Sequence, residues 1–154
     1  MRDVFVIDNS IFDDALTDDS RSDLVESSKQ LINEFFKLKL EGSTVAYIPQ
    51  MAYVKFQKYF NNLGKTKTIA LIGNIIEVSS SAKVYNKLDD AILDLAYKLT
   101  LTPCKVILVT NNQNMYKKLL SSDRNFYIAN SKEALSIINH PNFIKKDTDF
   151  KQRN

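Results

Sequence analysis

Three stretches of the chain concentrate oxygen-bearing side chains where chemistry is easiest to build. Asp8-Asn9-Ser10 follows directly on the apolar run Val4-Phe5-Val6-Ile7. Asp89-Asp90 opens the segment Ala91-Ile92-Leu93-Asp94-Leu95-Ala96, and Thr110-Asn111-Asn112-Gln113-Asn114 follows Val106-Ile107-Leu108-Val109. Apolar runs without polar alternation, rich in β-branched residues, predict strands buried on both faces. Ligands of open α/β sheets bind just beyond the carboxyl ends of such strands, which makes Asp8 a candidate binding carboxylate. Each stretch also has a local reading. Asp, Asn and Ser favour turns by bonding their own backbone, and acids at a helix start cap it or suit its dipole. A cap needs only one Asp, however, and Leu88 keeps the Asp89-Asp90 pair close to apolar packing.

Other chemistries find little support. A single histidine, His140, leaves no His-based zinc site and argues against a Ser-His-Asp triad. Gly64-Lys65-Thr66-Lys67-Thr68 lacks the upstream glycine of a P-loop and follows a helix rather than a strand. Asp13, Asp14, Asp18, Asp19 and Asp23 lie in a segment without the spacing or the glycine of a calcium-binding EF-hand. They read as a solvated loop from Ile11 to Asp23. The lone Cys104 cannot form an internal disulfide, fits a reducing cytosol, and reads as a buried, inert thiol.

The elements that must position these residues follow from periodicity. Leu24, Ser27, Leu31, Phe35 and Leu38 recur at helical spacing, with Ser20 or Ser22 as cap and Glu41-Gly42-Ser43 as terminator. Val45–Ile48 predicts a strand closed by Pro49, and Gln50–Leu63 a helix with Ala52, Phe56, Phe60 and Leu63 on one face. Lys55 and Lys58 stand beside Tyr53 and Tyr59 on that helix. Aromatics interleaved with lysines suit a nucleic acid strand, although an amphipathic helix with wet lysines explains the same pattern. A helix is expected over Thr68–Ile76, an extended segment at Ile76–Val78, and a helix over Lys87–Leu99. A strand over Lys105–Thr110, a helix over Met115–Leu120, a strand over Phe126–Ile128 and a helix over Ser131–Ile138 complete the chain. Ser131 is the expected cap of the last helix, without a full capping box. Alternating strands and helices imply an α/β doubly wound fold.

At 154 residues, with 44% hydrophobic and 25% charged residues, the chain has the size and composition of one globular domain. Residues 1–140 are expected to form it, with 141–154 a polar, mobile tail. Neither a cationic leader nor an apolar run of membrane-spanning length is visible, so no export or membrane insertion is expected. Residues 1–30 carry three basic and eight acidic side chains, whereas 31–154 carry eighteen basic and ten acidic. An acidic region facing a basic surface suits a polyanionic partner, though lysines also serve simply to keep a surface wet.

Val-Ile-Asp-Asn-Ser at the first strand end, Ile-Pro at the second, Asp-Asp-Ala-Ile-Leu-Asp-Leu-Ala, and Ile-Leu-Val-Thr-Asn-Asn occur in that order from residue 4 to about 138. In their order and spacing they resemble the PIN domain, a family of metal-dependent nucleases. The resemblance implies a three-layer α/β domain, a four- or five-stranded parallel sheet with helices on both faces, and an acidic site at the strand ends. Val4–Ile7 and Val106–Val109 would be adjacent central strands. It also implies a cytoplasmic endoribonuclease, either a toxin paired with an antitoxin protein or an RNA-processing enzyme, with a homodimer as an allowed state.

Carried over by position, the first acid of the family's site is Asp8 and the third is Asp89, with Asp90 beside it. The place usually held by a Glu is Lys55, before the apolar Phe56, and the fourth acid's place is Asn112. Asp8, Asp89 and Asp90 would hold Mg²⁺ or Mn²⁺, and Asn112 would add a neutral oxygen to the catalytic set. Ser10 and Thr110 would orient the carboxylates, and Lys55, Lys58, Lys117 and Lys118 would meet RNA. One acid is thus exchanged for a base and one for an amide, which favours one metal over two. The same exchange supports the alternative of a catalytically impaired PIN-like module that binds RNA or a protein partner.

Overall fold

The structure, a computed structural model, describes residues 1–18, 22–81 and 83–144. Five strands and seven helices alternate among them: β1 (Arg2–Ile7), α1 (Asn9–Ala15), α2 (Asp23–Leu40), β2 (Ala46–Pro49), α3 (Gln50–Asn62), α4 (Thr66–Gly73), β3 (Ile76–Ser79), α5 (Leu88–Thr100), β4 (Cys104–Val109), α6 (Gln113–Leu120), β5 (Tyr127–Ala129) and α7 (Ser131–Ile138). All strand pairs are parallel, in the order β3-β2-β1-β4-β5. The expected central pair is present, with Val4 opposite Val106 and Ile7 opposite Val109.

Successive side chains of a strand point to opposite faces, which explains why the central runs are apolar throughout. Phe5, Ile7, Ile107 and Val109 enter one core with the buried faces of α1, α2, α3, α4 and α7. Val4, Val6, Val106 and Leu108 enter a second core with Ile92, Leu95 and Ala96 of α5 and Met115 and Leu119 of α6. The result is the three-layer arrangement, helices on both faces of a five-stranded parallel sheet. No helix among the described residues is long and apolar enough to cross a membrane.

The helix ends follow local chemistry. Ser22 caps α2 by accepting from the Leu24 amide at 3.2 Å; Ser20 and Asp19 lie outside the described residues. Gly42 (φ 85°) and Gly64 (φ 75°) end α2 and α3 in the same way. In each, the glycine amide reaches back to Lys39 or Asn61, and the next amide to Leu38 or Phe60. This six-to-one closure needs the left-handed conformation that glycine adopts most readily. Gly64 is therefore a helix terminator, and Leu63, expected on the buried face of α3, is the exposed C-cap.

Several expectations are corrected. The Asp-rich segment does not begin as a loop: Asn9–Ala15 is helical because Ile11, Phe12, Ala15 and Leu16 recur at helical spacing and pack on the core. α4 runs from Thr66 to Gly73 rather than Thr68 to Ile76, because Ile75 and Ile76 turn into the core to start β3. α7 is capped by Asn130, not Ser131, and its capping box is complete, with Asn130 and Glu133 bonding each other's backbone amides. Neither Asp89 nor Asp90 is the N-cap of α5, a position held by Lys87. The packed chain also continues past residue 140. Phe143 is buried and stacks on Phe5 with ring centroids 5.9 Å apart, and Ile144 exchanges backbone and carboxylate bonds with Asp3. The expected mobile tail lies, from residue 145 on, outside the described residues.

Candidate active site at the carboxyl edge of the sheet

β1 and β4 lie side by side, yet the chain leaves them in opposite directions. It passes from β1 into α1 and α2 on one face, and from β4 into α6 on the other. Such a reversal opens a crevice at the carboxyl ends of the two strands, and Asp8 and Thr110 stand there, one residue beyond the paired Ile7 and Val109. α3 and α5 belong to different faces but contact one another, closing the far wall. The cleft so formed has a volume of about 470 Å³; Asp8, Asp13, Lys55, Tyr59, Asp89 and Asn112 line it, with Asn9 and Ser10 at its base.

Asp8 is buried, and its carboxylate does not bond the α1 backbone it precedes. Its Oδ2 accepts instead from Ser10 Oγ at 2.7 Å and from the fully buried Thr110 Oγ1 at 2.8 Å. Both hydroxyls also accept from the following strand end, Ser10 from the Asn111 amide at 2.9 Å and Thr110 from the Asn112 amide at 3.1 Å. The bonds run in one sense, from backbone amide to hydroxyl to carboxylate, and fix the position of Asp8. The local-turn reading of Asp8 fails for this reason.

Asp13 and Asn111 were not legible as site residues. One turn of α1 brings Asp13 to the cleft. Loss of water around its carboxyl raises its pKa first, the charges of Asp8 and Asp14 raise it further, and Lys55 opposes them. Asp13 remains exposed as a residue, so water screens part of this effect. Asn111 joins four elements: its Nδ2 donates to Asp14 at 2.8 Å and to Ser28 at 2.9 Å, and its Oδ1 accepts from the Ser131 amide at 2.9 Å. Beside it, Ser27 and Ser131 hydroxyls lie 2.9 Å apart, so small polar side chains knit α2 to α7 under the site.

Asn112 caps α6, its Oδ1 accepting from the Met115 amide at 3.1 Å, and its carbonyl retains one free lone pair. Asn9 Oδ1 is buried with no partner among the described residues. Asp90 does not line the cleft of Asp8. It faces an adjoining cavity of about 370 Å³ together with Lys87, Asn114 and Lys118, while Asp89 and Asn112 border both cavities. Lys58 and Lys117 are exposed and border neither. Among the described residues, no three Asp, Glu, His or Cys side chains stand close enough to form a ready-made metal site.

No family model, curated protein or solved structure matches the chain.

Proposed function

We propose that this protein is a metal-dependent endoribonuclease of PIN type that hydrolyses RNA phosphodiester bonds in the cleft of Asp8. One observation carries the reading. Asp8 is a buried carboxylate at the ligand-binding edge of the sheet, held by two hydroxyls and, among the described residues, by no cation. A buried charge is stable only when paired or bound to a metal. The neighbouring donors are carboxylate and amide oxygens, the set that suits a hard divalent ion such as Mg²⁺ or Mn²⁺. Asp8 and Asp89 would hold it, with Asp13 as a further acid and Asp90 beside them on α5. When bound, the ion would activate water and offset charge on the phosphodiester.

The remaining groups have roles that this chain supplies itself. Ser10 and Thr110 keep Asp8 turned into the cleft, and Asn112 contributes a neutral oxygen. Lys55 within the cleft, with Lys87 and Lys118 in the adjoining cavity, would attract and position the RNA backbone, which Lys58 and Lys117 would approach from outside. RNA is the substrate in this reading, and an antitoxin protein is the partner if the enzyme acts as a toxin. The setting would be cytoplasmic, and a homodimer is compatible with it.

Lys55 favours a second reading. Its ammonium shares the cleft with the acids and already offsets the charge felt by Asp13, which suits a module that binds RNA or a protein without cleaving. Incubation of labelled mixed-sequence RNA with Mg²⁺ or Mn²⁺ separates the two. The nuclease yields fragments with 5′-phosphate and 3′-hydroxyl ends from the wild type and none from Asp8→Asn. Intact RNA under both proteins leaves the binding module.

A further inference from the structure

Another cavity opens on the same edge of the sheet, beyond the ends of β2 and β3. It has a volume of about 330 Å³, and Pro49, Met51, Val54, Val84, Tyr85 and Ala91 form its apolar walls. We propose that this cavity seats a nucleobase of a single-stranded RNA whose backbone continues into the cleft of Asp8. The inference rests on the nucleic-acid reading of that cleft and adds the position that grips a base.

The two spaces share their walls. On α3, Met51 in this cavity and Lys55 in the cleft are four residues apart, about 6 Å along the axis. On α5, Ala91 in this cavity stands two residues past Asp89 in the cleft. One strand can therefore place a phosphate against Lys55 and a base next door. The lining has the chemistry of a base and not of a peptide charge. Its walls are apolar, Gln50, Ser79 and Ser81 supply donors and acceptors for a base edge, and Lys83 is the only charged side chain among the described lining residues. The absence of any acid from the described lining contrasts with the acidic cleft and suits the polyanion that carries the base.

Tyr85 adds an aromatic ring to the wall. Its hydroxyl donates to Asp94, which anchors the ring, and the Lys83 ammonium lies 5.3 Å from the ring centroid. Stacking of a base on such a ring is sequence-tolerant, since every base has a π-face. Val84 is 90% exposed and Val54 52%, so the rim of this cavity leaves apolar surface to water that a flat apolar ligand would cover.

The test reads binding in EDTA, where metal-dependent cleavage is absent. A short fluorescent single-stranded RNA and the same backbone carrying abasic sites are titrated against the wild type and against Val54→Ser/Val84→Ser. Both positions are exposed, so the double variant keeps its fold, and it alters no charge. The wild type should bind the abasic strand about tenfold more weakly than the intact one, and the double variant should bring intact RNA down to the abasic value. Equal affinity for the two strands, or a double variant that weakens both alike, overturns the proposal. Selective uptake of an apolar peptide with no effect of bases does the same. Cleavage with base-independent affinity sinks the pocket and leaves the nuclease. Base-dependent affinity lost in the double variant, with no cleavage, upholds the pocket and removes the nuclease.

Discussion

Replacing Thr110 by Val keeps the shape of a fully buried side chain and removes one hydroxyl, which makes it a direct probe of how Asp8 is held. That hydroxyl donates to Asp8 Oδ2 at 2.8 Å and accepts from the Asn112 amide at 3.1 Å. A hydrogen bond to a buried charge contributes about 1.5–3 kcal/mol, and Asn112 is exposed enough for water to replace its lost acceptor. Thr110→Val should therefore cost about 2–3 kcal/mol, or roughly 4–12 °C in melting temperature for a chain of this size. Thr110→Ser keeps the hydroxyl and should cost only about 1 kcal/mol for the lost methyl group. Urea unfolding of Thr110→Val, Asp8→Asn and the double variant gives the coupling between the two side chains. With a neutral amide in place of the carboxylate the bond weakens, so the double variant should be more stable than additivity predicts by about 1 kcal/mol. Additive costs, or a Thr110→Val variant within about 0.5 kcal/mol of the wild type, would refute the charge-assisted anchoring of Asp8.

The polar seam beneath the site should be equally sensitive. Asn111→Ala removes three bonds to Asp14, Ser28 and the Ser131 amide; a loss of about 2–4 kcal/mol and faster amide exchange at the start of α7 are expected. Asp13 has a raised pKa from desolvation, then from Asp8 and Asp14, so the native state holds its proton more tightly than the unfolded chain. Its contribution to stability therefore falls as pH rises through the ordinary carboxylate range toward the raised value. Asp13→Asn should stabilise the protein at neutral pH by under about 1 kcal/mol, the exposed residue being screened by water, and by nothing in strong acid; a pH series of urea midpoints checks both. Phe143→Ala should cost about 3–5 kcal/mol because the ring is buried against Phe5; a near-neutral effect in thermal unfolding would place residues 141–144 off the core.

The sheet was legible because its central strands are buried on both faces and so carry unbroken apolar runs, a signal that also marks where Asp8 and Thr110 must stand. The α1 helix was hidden by composition. The four aspartates Asp13, Asp14, Asp18 and Asp19 suggest a wet loop, while the helical recurrence of Ile11, Phe12, Ala15 and Leu16 decides the conformation. Asp13 was lost with it. Asn111 escaped for a different reason: its partners Asp14, Ser28 and Ser131 lie on three other elements, and nothing local distinguishes it from Asn112 or Asn114. The separation of Asp90 from the cleft of Asp8 is likewise a matter of helix phase. Consecutive residues of α5 point about 100° apart, so adjacent acids border different cavities. Lys55 was visible in the sequence, but its place among the acids depends on how α3 leans across the strand ends.

The melting temperature of the wild type and of Asp8→Asn across an Mn²⁺ titration tests the central claim most directly, because it reads the ion at Asp8 without any choice of RNA. An ion that binds only the folded state at a hundred times its dissociation constant adds about 2.7 kcal/mol, roughly 5–11 °C here. The wild type should climb by that amount and Asp8→Asn should stay flat at its own metal-free value. Flat curves for both proteins, or equal climbs, would contradict a cation site built on Asp8.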